Sequence, residues 1–198
     1  MFLLSLVLPA AAHIGLTSHE ARHGWTYIKE GPCGLSGSDW GSGEIYTYRP
    51  GATVALEWDE FIDHPGHYRV SFDPDGDDDF VDPASFEDYY TNEFVIADNI
   101  PDHEDGRDLY TYDLVLPDIE SDRATIQVVQ VMTDKEPYGD GDDLYYNCVD
   151  VILSADAPED TDADNAGDEK GCAVAPLTAG VWWLGLAVLW RRRGSSGG

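Results

Sequence analysis

The sequence predicts an all-β protein in which two antiparallel sheets pack as a sandwich. Short runs of alternating apolar and polar residues, rich in β-branched and aromatic side chains, recur along the chain. Clusters of Gly, Pro and Asp separate these runs, and no long segment keeps the apolar period of about 3.6 residues that a helix needs. Several short strands with turn signals between them are typical of immunoglobulin-like and fibronectin-III-like sandwiches.

The segments with the strand pattern follow one another from the middle of the chain onwards. They are Thr53–Trp58, His67–Phe72, Glu93–Ala97, Leu109–Leu116, Ala124–Met132 and Tyr146–Leu153. Turn sequences such as Asp73-Pro-Asp-Gly and Tyr138-Gly-Asp-Gly lie between them. Residues 13–50 are rich in Gly, His and aromatic residues instead, so we expect a loop-rich N-terminal region there.

The start of the chain resembles a secretory signal peptide. Met1–Pro9 is an apolar run, and Ala10 and Ala12 form the small-residue pattern of a cleavage site. We therefore expect residues 1–12 to be removed on secretion, although the usual basic start of such a signal is missing. The alternative interpretation is a short buried N-terminal strand.

The end of the chain is predicted to tether a folded domain at residues 13–154. Residues 155–171 are acidic and lack large apolar side chains, as in a disordered linker. Residues 172–193 contain the uncharged run Ala173–Trp190, which is long enough to cross a bilayer, and then Arg191–Arg193. Cys172, the apolar run and the arginines together are similar to the MYXO-CTERM sorting tail, which implies anchoring at the cell surface. A plain C-terminal transmembrane anchor is the alternative.

The charge of the chain restricts its partners. The 198 residues carry a formal net charge of −28, and all 39 acidic residues precede Cys172. Nucleic acid is excluded because binding to phosphate needs clustered Lys and Arg. We expect membrane contact only through the C-terminal anchor, and a monomeric domain.

The cysteines favour an oxidising compartment. If Cys172 belongs to the sorting tail, Cys33 and Cys148 remain as a pair, and we predict a disulfide between them. Two free buried thiols are the alternative.

Signal cleavage after Ala12 would make a histidine the first residue of the mature chain. The α-amine and imidazole Nδ1 of His13 can then chelate one metal ion. A second imidazole would complete a three-nitrogen site, which suits copper. His64, on a predicted loop before a strand, is the first candidate for that imidazole, and His67 is the alternative.

These features resemble the lytic polysaccharide monooxygenases (LPMOs), copper enzymes whose metal site is called a histidine brace. The matching features are Ala12-His13, the spacing of six residues from Trp58 to His64, and Leu-Tyr-Tyr-Asn-Cys-Val-Asp-Val at 144–151. The last resembles the bacterial pattern Ala-Phe-Tyr-Asn-x-Ile-Asp-Val and the fungal pattern Gln-Phe-Tyr-x-x-Cys. Both place the axial aromatic residue of the copper site at Tyr145.

The resemblance implies copper-dependent oxidative cleavage of a chitin-like or cellulose-like polysaccharide, driven by an external electron donor with O2 or H2O2. His13 and His64 would be the ligands, Tyr145 the axial residue, or else ordinary core, and His67 a hydrogen-bond partner beside the metal. The chain departs from the fungal pattern because Asp143 stands where that family has Gln. Gln127 and Gln130 are candidates to replace it.

Two further groups of residues have open interpretations. The alternating carboxylates Asp73, Asp75, Asp77 and Asp79 predict either a calcium site or a solvated acidic turn. The aromatic residues Trp25, Tyr27 and Trp40 form either a sugar-stacking face or a cover over the sandwich. We expect His19, His23 and His103 in loops or at the surface.

Two other functions fit the sequence. One is a brace protein that acquires or delivers copper without acting on glycans. The other is a calcium-dependent adhesion module at the cell surface.

Overall fold

The computed structural model describes residues 14–37, 39–103 and 109–158, and these contain eight strands and no helix. The strands are β1 (Ile14–Leu16), β2 (Ile45–Tyr48), β3 (Thr53–Glu60), β4 (Gly66–Asp73), β5 (Val95–Pro101), β6 (Leu109–Val115), β7 (Ser121–Met132) and β8 (Leu144–Leu153). In these ranges no helix is long and apolar enough to cross a membrane. The predicted signal peptide, His13, most of the predicted linker and the predicted anchor lie outside the described residues.

The strands form two sheets, as the sequence predicts. One sheet has the order β1-β3-β6 and the other the order β2-β8-β7-β4-β5. The pairs are antiparallel except that β2 runs parallel to β8. The predicted sandwich is confirmed, and the parallel pair at this edge is the one departure from the expected antiparallel sheets.

All six predicted strands are present, and β1 and β2 are additional strands within the region expected to be loops. Both are short, with three and four residues, so they offer little alternation to detect. The domain also continues slightly beyond the predicted boundary. Ala157 is buried, and its carbonyl oxygen accepts a hydrogen bond from Arg49 Nε at 2.9 Å.

The core lies between the sheets and is built by strand alternation. On β8 the side chains of Tyr145, Val149 and Val151 enter this core, while Tyr146 packs on the opposite face. At one end the core is aromatic, because Trp58 stacks on Tyr110 with ring centroids 5.4 Å apart.

The outer face of the five-stranded sheet is also covered, so the central strands β7 and β8 are buried on both sides. The predicted disulfide between Cys33 and Cys148 is present and attaches the N-terminal region to β8. Nearby, the buried Arg22 guanidinium bonds to Asp150 and Asp78, which joins the same region to β8 and to the turn after β4.

Candidate metal centre

The predicted metal ligands come from elements that meet at one end of the sandwich. Strand β1 begins at Ile14, the residue that follows His13, and Ile14 lies opposite Glu60 at the end of β3. The loop from β3 to β4, which contains His64, starts at that same end. His13 itself is outside the described residues, so its role stays a prediction.

The His64 imidazole is held by an acidic neighbour. Its Nδ1 lies 3.0 Å from Oδ2 of Asp134, just after β7, and 19% of its side chain is exposed. Its backbone N–H donates to Glu60 Oε1 at 3.3 Å. A carboxylate on Nδ1 fixes the ring and makes Nε2 the nitrogen that can bind a metal ion.

Tyr145 is buried on the inner face of β8, opposite Gln130 of β7. The Lys29 ammonium lies 5.3 Å from the centre of the Tyr145 ring and donates to Asp142 at 2.8 Å. This position fits an axial residue and it equally fits a core residue, so the axial role stays a prediction. Sequence analysis did not single out Lys29, which reaches Tyr145 from the N-terminal region.

His67 lies on the other face of the sheet. Its neighbour Tyr68 enters the core, so His67 points outward, where its ring meets Tyr89 edge-on with centroids 5.1 Å apart. Its Nε2 is 3.9 Å from an Asp98 carboxylate oxygen, and burial lowers the pKa of His67. The structure therefore does not bring His67 together with Tyr145.

The two glutamines considered as replacements for the missing Gln face opposite ways. Gln130 is on the inner face, and its Nε2 donates to Glu60 Oε1 at 2.6 Å. Gln127 is on the outer face and donates to the carbonyl oxygen of Pro32 at 2.8 Å. Asp143, at the position of the family Gln, uses its carboxylate to accept the Gly139 N–H at 2.6 Å.

The aromatic residues proposed to stack on sugar are at different places. Trp25 is 49% exposed, and its ring lies 4.8 Å from that of Phe61, in the same loop as His64. Tyr27 is exposed as well. Trp40 instead bonds to the carbonyl oxygen of Ala124, near the start of β7, at 2.8 Å, so the structure does not bring it together with Trp25.

The carboxylates of the turn after β4 are used largely within the turn. Asp73 accepts the N–H groups of Asp75 at 3.2 Å and Asp78 at 2.7 Å. Asp75 accepts the N–H of Asp77, and the Asp77 carboxylate also pairs with the half-exposed Arg123. Calcium binding by Asp73, Asp75, Asp77 and Asp79 stays a prediction.

One of the histidines expected in loops or at the surface has a different environment. His19 is in a loop but is buried, and its ring bonds to Ser18 Oγ at 2.7 Å and Tyr48 Oη at 2.5 Å. His19 therefore lies in a loop, as expected, and it is buried because two tyrosines of β2 enclose the ring. His23 is half-buried and His103 is exposed.

The structure adds an acidic cluster that sequence analysis missed. Glu60, Asp63 and Asp102 each offer a carboxylate oxygen, and these oxygens lie within 4.8 Å of one another. The sequence did carry a signal for Glu60, because it occupies the inward position of β3 that Val54, Leu56 and Trp58 also occupy. Burial, reinforced by the charge of Asp102, raises the pKa of Glu60 to about 7.

Neither family models nor curated protein sequences match the chain. Similar arrangements occur among solved structures. An AA10 LPMO from Streptomyces lividans has a TM-score of 0.43 and 13% identity, over 72% of this chain and 83% of that one. An AA15 LPMO from Thermobia domestica in the Cu(I) state has a TM-score of 0.38 and 18% identity, over 62% and 75%.

The cellulose-active LPMO CelS2 in complex with copper has a TM-score of 0.37 and 23% identity, over 57% of this chain. This chain spans 55% of the length of CelS2. With TM-scores below 0.5, these likenesses decide neither the site nor the activity of this protein. The β-sandwich is established by the strand pairing described above.

Proposed function

We propose that the mature protein is a secreted copper-binding β-sandwich that cleaves a polysaccharide oxidatively, in the manner of the LPMOs it resembles. The observation that carries the proposal is the arrangement of β1 and the His64 loop. The residue after His13 pairs with the end of β3, and His64, held by Asp134, follows that strand. The disulfide supports secretion, since disulfides persist in oxidising compartments.

The proposal gives each residue a definite task. Cleavage after Ala12 would free the His13 amine, which with the His13 imidazole and His64 Nε2 makes a nitrogen donor set suited to copper. Asp134 orients the His64 ring, and the buried Tyr145 would keep one side of the site apolar and dry. Bound copper would supply one-electron chemistry with an external donor and O2 or H2O2.

A neutral glycan is the substrate class that the charge favours. A formal charge of −28 repels anionic polymers, while chitin-like and cellulose-like chains carry no charge. Trp25 offers an exposed ring beside Phe61 in the His64 loop, where a sugar ring can stack. The predicted sorting tail would hold the domain at the cell surface.

The test uses the chain that begins at His13, titrated with Cu(II) by calorimetry. We expect one tight site that His64→Ala weakens by about a hundredfold, since a metal ligand is lost. The matched control is His23→Gln, which removes a histidine whose charged neighbours are Arg22 and Asp150 and should leave the affinity unchanged. His67→Gln examines the alternative ligand in the same way.

Activity is then measured as oxidised oligosaccharides released from chitin and cellulose with ascorbate. We expect products from the mature chain and none from His64→Ala. Tight copper binding without products would favour the role in copper acquisition or delivery. Failure of the mature chain to bind Cu(II) would exclude both copper functions.

A further inference from the structure

The acidic cluster of Glu60, Asp63 and Asp102 joins two separate parts of the chain. Glu60 is the last residue of β3, Asp63 lies in the following loop, and Asp102 follows β5. Glu60 is buried, Asp102 is half-buried and Asp63 is exposed, so the group has a closed inner side and an open outer side. Among the described residues, no Lys or Arg forms an ion pair with these carboxylates.

The Tyr110 hydroxyl lies within hydrogen-bond distance of two of the carboxylates. Tyr110 Oη lies 2.5 Å from Asp102 Oδ1 and 3.2 Å from Glu60 Oε2, and it also accepts the His103 N–H at 3.0 Å. A phenol has a single proton, so it can donate to only one carboxylate at a time. Glu60 also accepts from the Gln130 amide and the His64 N–H, which offset its buried charge in part, and a proton or a cation would offset the rest.

A second, independent feature points to a cation at the same place. The Gln130 side chain is 1% exposed, and its amide lies against Glu60, with Nε2 2.6 Å from Oε1. Its own Oε1 is buried and meets no donor within the described part of the chain, and neither does Asp102 Oδ2. A buried amide oxygen without a partner destabilises the fold, and a metal ion would satisfy it.

The donor set selects the kind of ion. Carboxylate and amide oxygens are hard ligands, which bind Ca²⁺, Mg²⁺ or Mn²⁺ in preference to copper. Two oxygens bound to one Ca²⁺ at about 2.4 Å each lie at most about 4.8 Å apart, and the three carboxylate oxygens stay within that limit. Mg²⁺ needs shorter bonds of about 2.0 Å and a stricter geometry.

We propose that Glu60, Asp63 and Asp102, with the Gln130 amide oxygen, form a calcium site at the end of the sandwich. Water completes the coordination on the side of the exposed Asp63. The ion would tie the end of β3 to its following loop and to the segment after β5. Because this loop carries His64, calcium would also hold the loop in place, but the site needs no free His13 amine and is independent of copper.

The experiment uses the full 198-residue chain, in which His13 has no free amine, after removal of metals with a chelator. Ca²⁺ is titrated by calorimetry in about 0.15 M NaCl, which screens weak binding to the acidic surface. We expect one saturable site and a higher melting temperature with Ca²⁺. Glu60→Gln and Asp102→Asn should each weaken binding by about tenfold or more.

Two controls test whether the loss of calcium binding comes from this site rather than from a lower charge on the surface or from misfolding of the variants. Asp122→Asn removes an exposed carboxylate of β7 and should keep the wild-type affinity. Without calcium, Glu60→Gln should be at least as stable as the wild type, because a neutral amide has no buried charge to offset. The proposal is overturned if the wild type shows no saturable site, if Glu60→Gln and Asp102→Asn bind like the wild type, or if Asp122→Asn loses as much affinity.

Discussion

At the scale of single residues, His19 shows how a loop histidine becomes part of the fold. Its ring bonds to Ser18 and Tyr48 and lies 4.7 Å from the Tyr46 ring. Burial lowers the pKa of His19 below its ordinary value, and the nearby charge of Glu44 opposes this only in part. The neutral ring is therefore the form that the folded protein prefers.

This preference predicts a loss of stability in acid. Above pH of about 6.5 His19 is neutral in both the folded and unfolded chains, and its contribution to stability is complete. As the pH falls below that value, the unfolded chain takes up a proton first, so the free energy of unfolding falls by at most about 1.4 kcal/mol per pH unit. Urea unfolding should show a steeper fall in the wild type than in His19→Gln, since His67, whose pKa burial also lowers, remains in both chains. Parallel pH curves would contradict the prediction.

Glu60 is a charged residue at a strand position where the sequence pattern predicts an apolar one. Its place in the alternation of β3 predicts an apolar residue, yet a carboxylate occupies it and is buried. A charged residue at an inward strand position is a local signal for a site. The identity of its partners Asp102 and Gln130 is not local, because they arrive from β5 and β7.

At the scale of elements, Arg22 joins the N-terminal region to the five-stranded sheet. Its side chain has no exposed area, and neither has that of Asp150, which also accepts the Gly41 N–H at 2.8 Å. Arg22 further contacts Thr125 of β7 at 3.2 Å and Asp78 at 2.5 Å. The coverage of the sheet by residues before β2 therefore depends on one buried guanidinium as well as on the disulfide.

Removal of this guanidinium should be costly. We expect Arg22→Leu to lower the free energy of unfolding by about 3–5 kcal/mol, because Asp150 is left as an uncompensated buried charge. The matched control is Lys29→Leu, which breaks the half-exposed pair with Asp142 and should cost less than about 1 kcal/mol. Urea denaturation measures both. Equal losses in the two variants would show that the buried network adds nothing.

At the scale of the whole molecule, the charge of −28 is the dominant property. Like charges on a compact surface repel one another, and the repulsion is relieved when the chain expands on unfolding. Salt shortens the screening length, the distance over which surface charges repel one another, to about 3 Å at 1 M.

The protein should therefore be more stable in salt. We expect the melting temperature of the metal-free full-length chain to rise between about 0.01 M and 1 M NaCl, since the screening length falls about tenfold over that range. KCl should act like NaCl, because screening depends on ionic strength. A melting temperature that stays constant or falls would refute the role of self-repulsion.

Local pattern determined much of this protein. Alternation along β3, β4 and β6–β8 predicted the strands and the sandwich, because the residues of a strand show their two faces in their own sequence. Counting cysteines predicted the disulfide. The metal centre of His13 and His64, in which the His13 amine would chelate only after cleavage, stays a prediction from the sequence.

Only the tertiary structure decided which of these residues meet. It placed Gln130 inward and Gln127 outward and directed His67 away from Tyr145. It also paired β2 parallel to β8 and assembled the acidic cluster from two segments far apart in the chain. The physical reason is that strand alternation is local. The register of a sheet, and which loops meet at the same end of the sandwich, depend on pairings between residues far apart in the chain.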